Sequence, residues 1–212
     1  MDVIEAMKTT GTCRYFRPDP VPDEVLLKAF EAARFAPQGG NRQPVRWIVV
    51  RDKDRKRRLR EWYLAPWKEY LKGIGNGEIG VGALPKTVAD ADHFAEHLHE
   101  VPAIVVLCAE LEGLHITDLE LDRPPVVGGG SIYPTAQNFC LALRAQGVAS
   151  AMTTLLVHDE PRVKKLLNIP DGFITAAHIA VGYPERGFPA KLTRRPVEEI
   201  VFDGSFGTPL AR

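Results

Sequence analysis

The residues best suited to chemistry fall in a few short stretches. The first is Arg34 to Val50, RFAPQGGNRQPVRWIVV. Its Pro37-Gln38-Gly39-Gly40-Asn41 turn joins two glycines to an asparagine. These types tolerate positive φ and let a flat ligand lie against the main chain. Gln38, Asn41 and Gln43 add amide donors and acceptors without charge. An ordinary helix-to-strand turn uses the same residues. The second stretch, Thr9-Thr10-Gly11-Thr12-Cys13-Arg14, sets backbone amides and hydroxyls beside one cation. Those are the parts needed to hold a phosphate or a polarised carbonyl, although a plain helix end stopped by glycine reads the same way. Lys191, Arg194 and Arg195 cluster near the C-terminus, where they could close over a phosphate or lie in solvent. His93 and His97 are four residues apart and so share a helix face. No HExxH pattern and no nearby Cys or acid pair completes a ligand set, so no metal is expected.

The intervening sequence supplies the elements that must position these groups. Asp2 to Lys8 reads as a short helix with Val3, Ile4 and Met7 on one side. Pro22-Asp23-Glu24 opens a second, with proline early, acids in the first turn, and Val25, Leu26, Ala29, Phe30 and Ala33 at helical spacing. VRWIVV (Val45 to Val50), AIVVLCA (Ala103 to Ala109), Val148 to Leu156 and Ile174 to Tyr183 are β-branched or apolar runs suited to buried strands. Asp52 to Leu71 is helical in composition, basic at its start, with Trp62, Tyr63, Trp67 and Tyr70 later and Pro66 expected to kink or divide it. Gly73 to Pro85 reads as a loop and Val88 to Glu100 as a helix. Ser131 is the expected N-cap of an apolar, central helix from about Ile132 to Gln146 that Gly147 stops. Asp159 to Leu167 is a short helix, and Val197 to Val201 a candidate strand. Gly128-Gly129-Gly130 lacks the Gly-Lys-Ser/Thr of a P-loop, and no dinucleotide fingerprint is read: GNGEIG (Gly75 to Gly80) has GxGxxG spacing but follows a helical stretch, not a strand.

A chain of 212 residues suits one domain, here 1–212, with one substantial core. Lys+Arg 27 balances Asp+Glu 27, which argues against nucleic acid or an anionic membrane as partner. No apolar run is long enough to span a bilayer, and MDVIEAMKTT lacks the layout of a signal peptide. Cys13, Cys108 and Cys140 are odd in number and scattered, so a reducing, cytoplasmic setting is expected.

Four stretches together resemble the flavin-dependent nitroreductase family over almost the full length: GTCRYF with PVPDEVLLKAFEAARFAP, QGGNRQPVRWIVV, SIYPTAQNFCLALRAQGVAS, and IPDGFITAAHIAVGYP with AKLTRRPVEEIV. The resemblance implies an α+β fold, a central, mostly antiparallel sheet flanked by helices, in an intertwined homodimer with two FMN at the subunit interface. By that match Gly11, Thr12 and Arg14 hold the phosphate and ribityl end, with Arg194 and Arg195 as phosphate ligands. Pro37, Gln38, Gly39 and Asn41 come from the other subunit, and Met152, Thr153, Thr154 and Leu155 pass by the ring. This chain departs from the family in having Thr10-Gly11 where one or two arginines usually stand, and Pro37-Gln38 in place of a proline-serine pair.

The activity so implied is ping-pong transfer of two electrons from NAD(P)H, as co-substrate, through flavin N5 to a nitroaromatic, quinone or similar small-molecule acceptor. FMN carries the chemistry, with no catalytic side chain required; Arg14 steadies the negative charge at N1 and the C2 carbonyl. Other flavin chemistry of the superfamily, dehalogenation included, and a non-catalytic FMN-binding protein are the alternatives. Segments 61–100 and 110–127 are expected as lids that select the acceptor, and the aromatic helix with the His93/His97 helix as the substrate mouth.

Overall fold

The structure, a computed structural model, describes residues 1–76 and 85–210. Four strands form one sheet: β1 (Val45–Val50), β2 (Ala103–Glu110), β3 (Ala149–Thr153) and β4 (Phe173–Gly182), in the order β1-β2-β4-β3. Every neighbouring pair among them is antiparallel. A parallel bridge from Thr12 to Ser150 then adds the N-terminal segment beside β3. The α+β fold with a mostly antiparallel, helix-flanked sheet is therefore present.

The sheet is covered on both faces, which is why β2 and β4 read as apolar runs without alternation. The alternation reappears in what each residue touches. Val105, Leu107 and Ala109 meet helices α2 (Asp23–Ala33) and α5 (Tyr133–Ala145). Ile104, Val106 and Cys108 meet α3 (Lys53–Gly75), α4 (Pro85–His97) and α6 (Glu160–Leu167). On the first face Phe139 of α5 packs against Phe30 and Trp47, with ring centroids 4.7 and 5.0 Å apart. Gly147, at φ 76°, stops α5 in the left-handed conformation that glycine permits.

Several sequence expectations need correction. Helix α3 runs unbroken to Gly75 with Pro66 inside it. The bond lost at the proline is offset by anchors on either side: Leu59 and Tyr63 are buried before it, and after it Trp67 Nε1 donates to Asp92 (2.8 Å) and Lys68 Nζ to Asp92 and Glu96 (2.6 and 2.8 Å). The remainder of the expected Gly73–Pro85 loop, 77–84, lies outside the described residues. Ser131 does not cap α5; it closes a 3-10 turn, Val127–Ser131, and its hydroxyl is taken by Gly39. Around α5 only one side is fully buried, and Leu141 and Ala142 are half-buried. Val197 to Val201 holds a 3-10 turn at Val197–Glu199, not a strand. Helix α1 (Val3–Thr9) turns its small face inward, burying Ala6 and Thr9 while Val3, Ile4 and Met7 are exposed. Arg144 Nε donates to Thr9 Oγ1 (3.1 Å) and fixes that orientation.

Among the described residues no helix is long and apolar enough to cross a membrane.

Candidate active site

The N-terminal segment is placed by backbone bonding. Thr9 and Thr10 hydroxyls donate to Glu5 and Ala6 carbonyls at 2.7 and 2.6 Å, closing the last turn of α1. The chain then extends along β3: Cys13 N donates to Ser150 O (2.9 Å), and Arg17 N to Tyr183 O (2.9 Å). Pinned at both ends, this run delivers Arg14 beside the last residues of β3.

Arg14 stands at the meeting of two clefts. One, of about 410 Å³, is lined by Arg14, Tyr63, Trp67, Tyr70 and the run Met152 to Leu155. The other, of about 390 Å³, holds Gly11, Thr12, Cys13, Arg14, Lys86, Asp90 and Arg186. The Arg14 guanidinium is half-buried, 5.2 Å from the Phe94 ring centroid, and forms no hydrogen bond or ion pair with any described residue. Burial disfavours its charged form and holds its pKa below the usual arginine value, with Tyr63, Cys13 and Asp90 opposing that shift. A desolvated guanidinium with unused donors suits an electron-rich or anionic ligand. Burial likewise pushes the Tyr63 phenol up, against the opposing effect of the Thr153 side chain and Arg14. Thr153 is half-buried, while Met152 and Thr154 are exposed on the cleft.

The aromatic wall of this cleft is held by the α3–α4 links already described. Tyr63 and Trp67 lie nearly parallel with centroids 6.4 Å apart, and Tyr70 is tilted against Trp67 at 5.7 Å. His93 and His97 do share a face, and their rings stack at 4.1 Å, with Tyr15 stacked on His93 at 4.3 Å. They line a third depression with Arg14, Glu100 and Glu185 rather than the aromatic cleft. Among the described residues, no three His, Cys, Asp or Glu side chains gather into a metal-sized group.

The Pro37–Asn41 turn lies elsewhere, beside α2 and α5. Gly39 N donates to Ser131 Oγ at 3.0 Å, and Gly40, Asn41 and Gln43 take φ of 59°, 52° and 52°. Glycine and asparagine accept that region readily, whereas Gln43 is strained there. Gln38 Oε1 is buried with no described partner, and so is Thr135 Oγ1. Both residues line a cleft of about 310 Å³ with Phe30, Trp47, Arg34 and Arg46. Pro37, Gln38, Gly39 and Asn41 contribute nothing to the clefts at Arg14.

The structure places Gly11, Thr12 and Arg14 in one cleft and Arg14 with Met152, Thr153, Thr154 and Leu155 in the other, Arg14 being common to both. It leaves the turn apart from them within one chain. Arg194 and Arg195 are exposed; Arg194 donates only to Thr193 O (2.7 Å) among the described residues, and the tail reaches the second cleft through Leu192 instead. Sequence reasoning missed Lys86, Asp90 and Arg186. Arg186 follows the last strand in a Glu-Arg-Gly turn that offers no periodicity or motif to mark it.

A family profile described as "Nitroreductase family" matches residues 7–183. A curated relative named NADH dehydrogenase, from Thermus thermophilus, is 28% identical, covering 95% of this chain and 95% of its own. Iodotyrosine deiodinase 1 of Rattus norvegicus is 25% identical over 94% of this chain and 68% of its own. Among solved structures, oxidised iodotyrosine deiodinase bound to FMN and 3-iodo-L-tyrosine superposes with a TM-score of 0.75, at 25% identity, over 97% of this chain and 100% of the other.

Proposed function

Because the chain belongs to the nitroreductase family, we propose that it is an FMN-dependent oxidoreductase. In this reading it passes two electrons by a ping-pong mechanism from NAD(P)H to a nitroaromatic, quinone or similar small electrophile. The observation that carries the reading is Arg14, a half-buried guanidinium without a described hydrogen-bond or ion-pair partner, facing the aromatic cleft that Met152 to Leu155 complete. The donor set fits a flavin: one cation, backbone groups of an exposed strand end, and flat aromatic walls. When bound, FMN supplies the hydride chemistry itself.

The residues then have separable tasks. Arg14 offers charge to the electron-rich edge of the ring. Met152, Thr153, Thr154 and Leu155 offer backbone donors and acceptors along another edge. Tyr63, Trp67 and Tyr70 exclude water and receive a flat acceptor. Gly11 and Thr12 belong to the phosphate end, with Arg194 and Arg195 as further candidates from the tail. Pro37, Gln38, Gly39 and Asn41 act on the site of a second copy, so the working form is a homodimer. The partnerless Gln38 Oε1 and the exposed Val3, Ile4 and Met7 support that assignment. The setting is cytoplasmic.

Reductive dehalogenation is the second reading, favoured by the deiodinase relatives. The test is the visible spectrum of the purified protein before and after anaerobic NADPH and NADH, followed by nitroaromatic, quinone and halotyrosine acceptors. A flavin spectrum that bleaches and is restored by a nitroaromatic or quinone supports the first reading. Restoration by halotyrosine alone replaces it with the second. Bound flavin that neither nicotinamide reduces points to a carrier. The variant Arg14→Ala should retain less flavin or reduce it more slowly; full flavin and unchanged reduction would remove Arg14 from the site.

A further inference from the structure

We propose that Arg186, with Lys86 and the Thr12 hydroxyl, forms a phosphate-binding site in the second cleft, serving where the sequence has no cation at Thr10 or Gly11. The proposal rests on the flavoenzyme reading for its ligands, but its residues are argued from this chain alone.

The cleft gathers Arg186 and Lys86 around Gly11 and Thr12, with Arg14 at its inner end and Asp90 as its acid. Asp90 is already engaged, since Tyr15 Oη donates to its Oδ1 at 2.7 Å. Arg186 reaches the same oxygen only at 3.8 Å, too long for a direct hydrogen bond. Its guanidinium instead lies over the Tyr15 ring, 3.3 Å from the centroid. Stacking orients the fork, whose polar neighbours are the Tyr15 hydroxyl and, at 3.8 Å, Asp90, and the remaining N–H groups suit a planar grip on a phosphate. Lys86 adds an exposed ammonium, and Thr12 an exposed hydroxyl.

Gly11 ties the arrangement to the tail. A Cβ built there would meet Pro189 Cγ at 3.1 Å and Leu192 Cδ2 at 3.2 Å. The segment that carries Arg186 therefore occupies the space into which a side chain at position 11 would grow. A cation is absent at positions 10 and 11 and present on the segment that fills the space beside Gly11.

The phosphate could belong to FMN or to the nicotinamide dinucleotide. The experiment compares wild type, Arg186→Ala, Arg186→Lys and Arg186→Ala with Lys86→Ala. Each is stripped of flavin and checked for an unchanged melting profile, since all these side chains are exposed. Binding of FMN, riboflavin, NADPH and NADH is titrated, and inorganic phosphate is followed by phosphorus NMR.

If the ligand is FMN, Arg186→Ala weakens FMN by roughly tenfold to a hundredfold, leaves riboflavin unchanged, and Arg186→Lys recovers part of the loss. If it is the dinucleotide, both flavins bind as in wild type and NADPH is weakened, with NADH weakened alongside it if the pyrophosphate is held. Variants that match wild type for every ligand, inorganic phosphate included, overturn the proposal. A wild-type protein that takes up neither FMN nor riboflavin overturns the flavoenzyme reading instead. The phosphate titration, which needs no flavin, then decides the site on its own.

Discussion

The two faces of the sheet are filled by different means. Against α2 and α5 the sheet meets mainly aliphatic side chains and three aromatic rings, with Phe139 at 0% exposure in its middle and Thr135 as a buried hydroxyl at the margin. Against α3 and α4 the covering layer includes polar groups: Lys56, whose Nζ donates to Val101 O at 2.5 Å, Tyr63 near Thr153, and the half-buried Arg14. His178 stands opposite Val106 and Thr153 in the sheet register and so shares their face. It is 1% exposed, and neither ring nitrogen has a described partner. The contrast is one of degree between two faces of one sheet. One face is mainly apolar scaffold, with Gln38 and Thr135 at its margin, and the other gives up more packing to hold polar groups.

The largest expected effect that tests this division is on the scaffold. Phe139→Ala should cost about 3–5 kcal/mol in urea unfolding, from lost transfer energy and the cavity left between Phe30 and Trp47. A loss under about 1 kcal/mol would mean that this face is not what holds the fold.

Next in size is an acid-sensitive term on the other face. Burial pulls the His178 pKa down to about 4 from 6.5. The unfolded chain therefore binds a proton below pH 6.5 that the folded chain refuses until about pH 4. The stabilisation is full above pH 6.5 and is lost as pH falls toward 4, by about 3 kcal/mol at roughly 1.4 kcal/mol per unit. His178→Leu should remove this contribution to the slope without lowering stability at neutral pH, because the imidazole makes no bond to lose. A pH profile unchanged by that substitution would clear His178 of the role.

Smaller still, Arg14→Met in flavin-free protein should leave unfolding stability unchanged or raised within about 1 kcal/mol, since no described partner is orphaned. Marked destabilisation would make Arg14 a structural residue and blur the contrast between the faces. Smallest of all, Lys68→Met should cost no more than about 1 kcal/mol, its carboxylate partners being partly exposed. Its use is to ask whether the α3–α4 link sets binding of the proposed acceptor: unaltered binding would leave Trp67 and the core to place the aromatic wall.

Much of this could be read from the chain alone. VRWIVV, AIVVLCA and ITAAHIAVGY announce strands because β-branched, uninterrupted runs suit a sheet covered on both faces. The turn at Gly39-Gly40-Asn41 announces itself through residue types that tolerate the φ values found there. What stayed hidden depends on distant partners. Pro66 ought to interrupt α3, and only the links from Trp67 and Lys68 to α4 show why it does not. Ser131 has the type of a cap, yet its hydroxyl is claimed by Gly39, 92 residues away. Arg186 lacks any local pattern, since its significance lies in Tyr15 and Asp90 across the cleft.

Position 11 also constrains how this sequence can change. Introducing an arginine there in one step, Gly11→Arg, would drive the new side chain against Pro189 and Leu192. Trimming the tail first would open the space but would disturb the segment that carries Arg186. The contacts at 3.1 and 3.2 Å ask the tail side chains to give by a few tenths of an ångström, so position 11 and the tail that lies over it are coupled, and a cation gained at one is felt at the other.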